Sequence, residues 1–589
     1  MKLVFDIETN GLLDDLNCIH TIVIKYLETG ETIKYRPVGD EILEAVDNLK
    51  NAELIIGHNV ISFDIPAIQK IFPDFNPVGI FDTLVASRLI WSDIKDRDFK
   101  FHKHTNFPTK LIGKHSLKAW GYRLGLLKGD FAEETDWKEW SEEMTTYCAR
   151  DVEVTAKLYQ KILDKKYSNK SIELEHKFAE AIWEQEKHGF YFDVKKAQKL
   201  NSHLAQRRLE LEGNLREVFA DWEKELPDFI PKRDNKTLGY KAGVPVKKFK
   251  TMQFNPASRD HIADRLITLK GWKPKKFTPD GKPAVDESVL KELDYPEAKL
   301  LAEYLMITKR LGQLAEGNVA WLKLERQGKI HGSVITNGAV TGRCTHMYPN
   351  VAQVPSVSVP YGKQCRELFY VPDGYKLCGV DVSGLELRVL AHFLSKYDDG
   401  EYANEVIKGD VHTLNQKSAG LATRNLAKTF IYAFLYGAGD RRIAEITGGT
   451  VKEAKAVKEK FLKNTPAIAR LRRDVLHTVE AKGFLRGIDG RVLTIRSPHS
   501  ALNTLIQSAG ALIVKQATIF LHEKIKQENL DCNMVAHIHD EMQLQVKEDI
   551  AEYVGQKAVQ SIQATKDFFN FRCELDGEYK IGNNWAETH

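Results

Sequence analysis

The sequence predicts a multidomain protein of mixed α/β and α+β class. Three observations carry this. Strand-like and helix-like runs alternate over residues 1–165, the pattern of an α/β unit. Long amphipathic helical patterns, rich in Leu, Glu, Arg and Lys, follow in residues 166–330. Two apolar runs far apart in the chain, within 376–388 (KLCGVDVSGLELR) and 534–546 (MVAHIHDEMQLQV), each lead to an acid, which is how a sheet presents a charged ligand at its edge.

With 589 residues the chain has room for several cores. Its 43% hydrophobic and 28% charged content is ordinary for globular protein. A net charge of +4 does not announce a nucleic-acid binder, because a basic cleft and an acidic centre cancel in the total. Seven scattered cysteines without a Cys-x-x-Cys pair argue against a structural zinc site and a disulfide framework, and for a reducing compartment. No apolar stretch is expected to be long enough to span a membrane, and Asp6 and Glu8 come too early for a signal peptide.

In chain order, residues 3–5 start a strand that runs into Asp6 and Glu8. At strand period two both acids project from one face. Strand-like runs at 19–27 and 32–36, a helix near 41–49 and a strand at 53–58 follow, and Asp64 stands near a helix start. Tyr147 and Asp151, four apart in a helical pattern, share a face. Each acid alone fits a surface position or a cap. Together Asp6, Glu8, Asp64 and Asp151 could hold two divalent cations, which activate a water and stabilise a leaving oxygen, with Tyr147 orienting the water.

Residues 171–188 and 194–222 read as helices. Between 224 and 252 the periodicity fades into a Pro- and Gly-containing basic stretch, with Lys224, Lys232, Arg233, Lys236, Lys241, Lys247, Lys248 and Lys250 against Glu225, Asp228 and Asp234. It reads equally as a mobile DNA-tracking loop or a solvated linker. Residues 254–266 restart regular structure, 273–290 are turn-rich around Asp280-Gly281, and 304–323 are helical. Residues 335–355 are loop and short strand. Arg343 there, taken alone, is an ordinary surface charge.

Residues 424–440 give the most informative helix. Arg424, Lys428 and Tyr432 are successive i+4 positions on one stripe, with Tyr436 a turn further, and Gly437 and Gly439 end the helix. Two cations on one face suit a triphosphate. Helices are also expected at 451–461 and 467–482, a hairpin at 487–496, a long helix at 501–525 carrying Asn503 and Gln507, and a helix near 551–566. In 534–546 Met542, Leu544 and Val546 alternate with glutamines, the period of a half-buried strand, and His539-Asp540 sits at a hairpin tip. Asp381 and Asp540 thus suggest a second two-metal site, and the cationic helix points to nucleotidyl transfer.

These segments together resemble family A DNA polymerases over nearly the whole chain, and within them the replicative polymerases of T-seven-type bacteriophages. VDVSGLELR, RNLAKTFIYAFLYG and HIHDE carry the likeness, supported by TGR with YPNVAQVP and by FNPASRDHI. Asp-x-Glu at 6–8, Asn59 with Phe63-Asp64, and Tyr147-x-x-x-Asp151 resemble the DEDDy class of 3′→5′ exonucleases.

The resemblance implies an RNase H-like exonuclease domain (1–165) followed by a right-hand polymerase domain. The thumb would be 170–316 with its short basic insert near 224–252, the palm 317–393 and 500–589, and the fingers 394–499. Asp381, Asp540 and the Val382 carbonyl would bind two magnesium ions, with manganese as a substitute. His412, Arg424 and Lys428 would contact phosphates, Lys428 also as general acid. Glu386 would wall the sugar against a 2′-hydroxyl. Tyr432 stands where many members have phenylalanine, which implies weak discrimination against dideoxynucleotides. Tyr436 would stack near the template base, and Arg343, Gln507 and His539 would contact primer–template DNA.

Implied partners are primer–template DNA, dNTPs and a replicative helicase–primase. Neither a membrane nor thioredoxin is among them, because the insert near 224–252 is short where the phage type carries a long thioredoxin-recruiting segment. The implied setting is a soluble phage-encoded enzyme in the cytoplasm of a bacterial host. A single-subunit RNA polymerase, an exonuclease-only protein and a non-catalytic DNA-binding protein are the competing readings. Glu386 and the exonuclease segments argue against the first, and Asp381 with Asp540 against the last.

Overall fold

The first strand is apolar at consecutive positions because both of its faces are covered. A computed structural model describes residues 1–103, 105–126 and 137–589. In it β1 (Lys2–Thr9) turns Leu3, Phe5 and Ile7 into one core and Val4 into another. β2 (Ile19–Tyr26) and β3 (Thr32–Tyr35) extend the sheet antiparallel on one side. β4 (Leu54–Gly57) and β5 (Ile80–Asp82) extend it parallel on the other, giving the order β3-β2-β1-β4-β5. The helix Glu142–Leu163 lies on the Val4 face through Cys148 and Val152. Asp6 and Glu8 share the parity of Val4, so this packing sends both acids toward the helix that carries Tyr147 and Asp151.

The chain divides into two compact units: Met1–Phe190 with His331–Val354 and Tyr370–His589, and Tyr191–Ile330 with Pro355–Phe369. The first unit also contains a four-stranded antiparallel sheet. Its strands are, in spatial order, Cys532–Ile538, Glu541–Lys547, Tyr375–Val382 and Gly577–Gly582. Asp381 pairs with Glu541 on one side and Glu578 on the other, at the end of the strand. Gln543 and Gln545 were expected to face solvent, yet both are buried. Gln543 accepts from the Thr588 hydroxyl at 2.8 Å and donates to Glu541 at 2.6 Å, so polar alternation here marks an internal hydrogen-bonded layer.

Beneath this sheet lies Ala501–Gln527, buried over most of its length. Pro498–Gln527 has the length and apolarity to cross a membrane, contrary to the sequence reading, but 83% of its most apolar window is inside the protein. Lys515 on this helix and Arg491 meet Glu175, from the helix Asn169–His188, at 2.7 Å each. Arg491 also binds Asp489 at 2.9 Å, and all four side chains are buried. The network reaches further: Asn337 accepts from Arg491 at 3.3 Å and donates to the Arg88 carbonyl at 3.1 Å.

In the second unit the helix Val194–Val218 ends four residues before Trp222, where the sequence pattern carried it through. Residues 224–252, where a loop or linker is expected, lie instead in a two-stranded hairpin of Trp222–Phe229 with Val246–Met252. Neither face of the hairpin is buried, which is why no hydrophobic period showed.

Candidate active sites

In the first sheet, Asp6 and Glu8 lie with Cys148 in one cluster whose ligand atoms are within 4.8 Å of one another. Asp64, the first residue of the helix Asp64–Ile71, and Asp151 complete the group. Burial, then repulsion from Asp82 and Asp151, pushes the Asp64 carboxyl up to about 8. Acids crowded to this degree stay ionised when a divalent cation compensates them, so the donor set fits hard metal ions.

All four acids and Tyr147 line a cavity of about 550 Å³, which also receives Arg88, Lys114, His115 and Trp137. Burial, then the charges of Arg88 and Arg123, pushes His115 down to about 3, so it stays neutral.

Asp82 organises this site without entering it. Its carboxylate accepts from the backbone of Asn59 (2.9 Å), Ile61 (3.2 Å) and Leu84 (2.8 Å), and its own N–H donates to His176 at 2.7 Å. It therefore fixes the turn that delivers Asp64. Sequence reasoning missed Asp82, Arg88 and His115. The only signal for Asp82 was an acid just ahead of a helix.

In the second sheet the two-residue turn His539-Asp540 stands beside Asp381, and the Val382 N–H donates to the Asp540 carbonyl at 3.3 Å. His539 takes a left-handed φ of 57° to close the turn. Burial, then repulsion from Asp540 and Glu541, pushes Asp381 up to about 7. Asp540 is raised by burial and then by Glu386. Two carboxyls that resist ionisation together are a donor set suited to cations. Glu541 is held apart from that role. Burial disfavours its charge, but His589, Gln543 and Trp585 donate to it and keep it below the usual carboxylate range.

Glu386 sits in the first turn of Leu385–Asp398, after Gly384 at φ 59°. It accepts from the Tyr436 hydroxyl at 3.0 Å and lies 3.6 Å from Arg343. Arg343 follows Gly342, where a Cβ would stand 2.7 Å from the Arg491 guanidinium, so that turn needs glycine.

The helix Arg424–Leu435 starts from a Thr423 cap and buries Ala427, Phe430, Ile431 and Phe434. That leaves Arg424 and Lys428 exposed and Tyr432 half-buried on one stripe. Glu386 and Asp540 both act on the Tyr432 hydroxyl, so the stripe ends at the carboxylates. At its other end Arg424 donates to Asp410 at 2.8 Å in an exposed pair that a ligand phosphate can displace. His412 stands 6.3 Å from Tyr432, ring to ring, and its buried Nδ1 has no hydrogen-bond partner among the described residues.

The structure thus brings Asp381, Val382, Asp540, His539, Glu386, Arg343, Tyr432 and Tyr436 together, and joins His412, Arg424 and Lys428 to them along the helix. Gln507 is half-buried on Ala501–Gln527, and among the described residues it makes no hydrogen bond or ion pair with that group.

Residues 242–587 match DNA polymerase family A, and residues 5–166 match the 3′-5′ exonuclease family. The chain belongs to family A of the DNA polymerases. It is 40% identical to the DNA-directed DNA polymerase of Enterobacteria phage T3 over 708 aligned positions that take in all of both proteins. Identity to the Escherichia phage T7 enzyme is also 40%, again over the full length of both. The 589 residues here are fewer than those aligned positions, so the phage relatives carry segments that this polymerase lacks. DNA polymerase I of Pseudomonas aeruginosa is 27% identical over 57% of the chain and 39% of its own length. The fold resembles the POL domain of Pol1 from M. smegmatis, solved with DNA primer-template and dNTP. The TM-score is 0.75 at 17% identity, covering 99% of this chain and 96% of that one. This is a phage-type DNA-directed DNA polymerase with an exonuclease domain ahead of the polymerase domain, and both kinds of domain use divalent metals.

Proposed function

We propose that Asp381, Asp540 and the Val382 carbonyl hold two magnesium ions, replaceable by manganese, and that Asp6, Glu8, Asp64 and Asp151 hold a second pair. Such ions lower the pKa of an attacking hydroxyl or water and steady the departing oxygen. The observation that carries the reading is the meeting of two charge-resisting carboxyls, Asp381 and Asp540, with a cationic stripe ending at Tyr432. Lys428, Arg424 and His412 bind the triphosphate, and Lys428 gives a proton to the leaving pyrophosphate. Glu386 closes the sugar pocket, its carboxylate held by Tyr436. Arg343, Tyr436, His539 and Gln507 contact primer–template DNA. In the first sheet Tyr147 orients the attacking water.

The substrates are dNTPs and a primer–template, as in the solved relative named for that complex. By the same likeness 1–165 is the exonuclease, 170–316 the thumb, 317–393 and 500–589 the palm, and 394–499 the fingers. The enzyme works in the bacterial host cytoplasm with a helicase–primase and without thioredoxin. Primer extension and primer degradation on paired variants test the two-site reading. Asp540→Asn abolishes extension and spares degradation, and Asp6→Ala with Glu8→Ala does the reverse. Joint loss of both activities in each variant would overturn it.

A further inference from the structure

The helix Asn169–His188 lies beyond the residues that match the exonuclease family, yet it reaches the exonuclease site. Two adjacent residues on it serve different partners. Glu175 accepts from Arg491 and Lys515 at 2.7 Å each, and both cations belong to the stretch that matches the polymerase family. That fixes the helix against the polymerase core. His176, the next residue, is buried, and its Nε2 accepts the Asp82 N–H at 2.7 Å.

The partners of His176 decide its chemistry. A backbone N–H can only donate, so Nε2 must keep its lone pair and the proton sits on Nδ1, which donates to the Ile172 carbonyl at 2.8 Å. Phe81 packs on the ring with centroids 5.0 Å apart. The imidazole is therefore a neutral acceptor in one tautomer and one orientation. Asp82, which it holds, caps the helix Thr83–Ile90 and takes the N–H groups of Asn59 and Ile61. Asn59, at a left-handed φ of 71°, opens the turn that leads to Asp64. Beside the cap, the Thr83 hydroxyl donates to the Gly57 carbonyl at 3.0 Å and ties the preceding strand to the same point. The far end of Thr83–Ile90 is held too, where Asn337 donates to the Arg88 carbonyl at 3.1 Å, and between the two Val85 packs with Ala179 of Asn169–His188. This helix, which gives Leu84 and Arg88 to the cavity, is thus gripped by residues from outside the exonuclease match.

We infer that His176 is a positioning residue for the exonuclease reaction, holding Asp82, and through it Asp64, from outside the exonuclease domain. The inference rests on the reading of Asp64 as a metal ligand. A buried N–H deprived of its acceptor shifts to find another, and the capped turn shifts with it. Groups that orient a metal ligand set the affinity of the site, so the first property to change is the demand for metal. Asp381 and Asp540 stand on a different sheet, and extension does not depend on this bond.

The test uses the full-length enzyme, degradation of a labelled single-stranded oligonucleotide, and primer extension, each titrated with magnesium. His176→Gln places an amide oxygen where Nε2 stands and keeps the Asp82 bond. His176→Asn reaches only the Nδ1 position and loses it. In His176→Asn the magnesium concentration for half-maximal degradation rises about tenfold, the lower end of the effect of losing a partner to a metal ligand. The rate recovers toward wild type at high magnesium, extension keeps its own magnesium dependence, and His176→Gln behaves as wild type for both. His176→Leu, which keeps the bulk without the acceptor, replaces the asparagine variant if that one does not fold. An unchanged magnesium requirement for degradation overturns the inference. So does an equal loss of extension and degradation, a glutamine variant as impaired as the asparagine one, or failure of both the asparagine and leucine variants to fold, each of which assigns His176 to stability alone. Asp64→Asn is run alongside: if it degrades DNA as wild type does, the metal-ligand reading itself fails, whatever the His176 variants do.

Discussion

Replacing Asp381 with asparagine removes the charge and keeps the shape. Burial and the neighbouring Asp540 and Glu541 push this carboxyl from 3.8 to about 7. At 1.36 kcal/mol per pKa unit that is roughly 4 kcal/mol. The side chain is partly exposed, and solvent screening reduces this to about 2 kcal/mol. The sign follows from proton binding. The folded carboxyl holds its proton more tightly than the unfolded one, so stability is present at pH 4 and is lost as pH rises toward 7. In EDTA at pH 8, Asp381→Asn is therefore more stable than wild type by about 2 kcal/mol, and the gap closes as pH falls toward 4. Magnesium reverses the order. Ligand at about 100 times its Kd adds roughly 2.7 kcal/mol to the protein that binds it, and the variant has lost a ligand. Scanning calorimetry at several pH values, with transitions analysed separately because the protein is multidomain, reads both effects. A variant no more stable than wild type at pH 8 in EDTA, or a gap that does not change with pH, would refute the reasoning.

Glu386→Ala opens the sugar pocket and releases Tyr436 and Arg343. Selection of dNTP over NTP falls to the order of 100-fold or less, as competing primer-extension reactions would show. Tyr432→Phe removes one hydroxyl beside the nucleotide and strengthens discrimination against dideoxynucleotides by about tenfold, the size of one hydrogen bond; unchanged termination patterns would count against it. Adding thioredoxin leaves product length unchanged, and a large gain would show that the 222–252 hairpin is not the whole of the corresponding segment. Glu175→Gln removes the carboxylate that Lys515 and Arg491 share, leaving Asp489 to Arg491 and no ion-pair partner for the buried Lys515 among the described residues, and costs about 3–5 kcal/mol by calorimetry.

The first sheet was legible because its strands are covered on both faces, and unbroken runs such as Leu3–Val4–Phe5 survive any register. The helix Arg424–Leu435 was legible because its buried face repeats Ala427, Phe430, Ile431 and Phe434 at helical spacing while the opposite stripe carries charge. Gln543 misled because polarity was taken as a sign of solvent; its partners, Thr588 and Glu541, lie on a segment no local pattern connects to it and on its own strand. Asp82 showed only as a helix cap because the other groups it holds, the Asn59 and Ile61 N–H, lie more than twenty residues away, and a backbone group carries no sequence signature. The 222–252 hairpin escaped for the opposite reason: with no buried face, it has nothing to repeat.

The buried cluster of Glu175, Asp489, Arg491 and Lys515 also bears on how the protein comes into being. Glu175 is separated from Arg491 by 316 residues and from Lys515 by 340. At 5–20 residues per second a ribosome needs on the order of 20–70 s to travel from Glu175 to Lys515. For that interval the helix Asn169–His188 can lean on the leading domain through Ala179 and His176, but its Glu175 carboxylate has neither Arg491 nor Lys515 to meet it, and Leu174, Phe178 and Ile182 wait for their core. The leading sheet can form early, since its strands all lie within the first 82 residues. The docking of the polymerase body onto it must wait, and this is the stage of biosynthesis at which a chaperone has the most surface to protect.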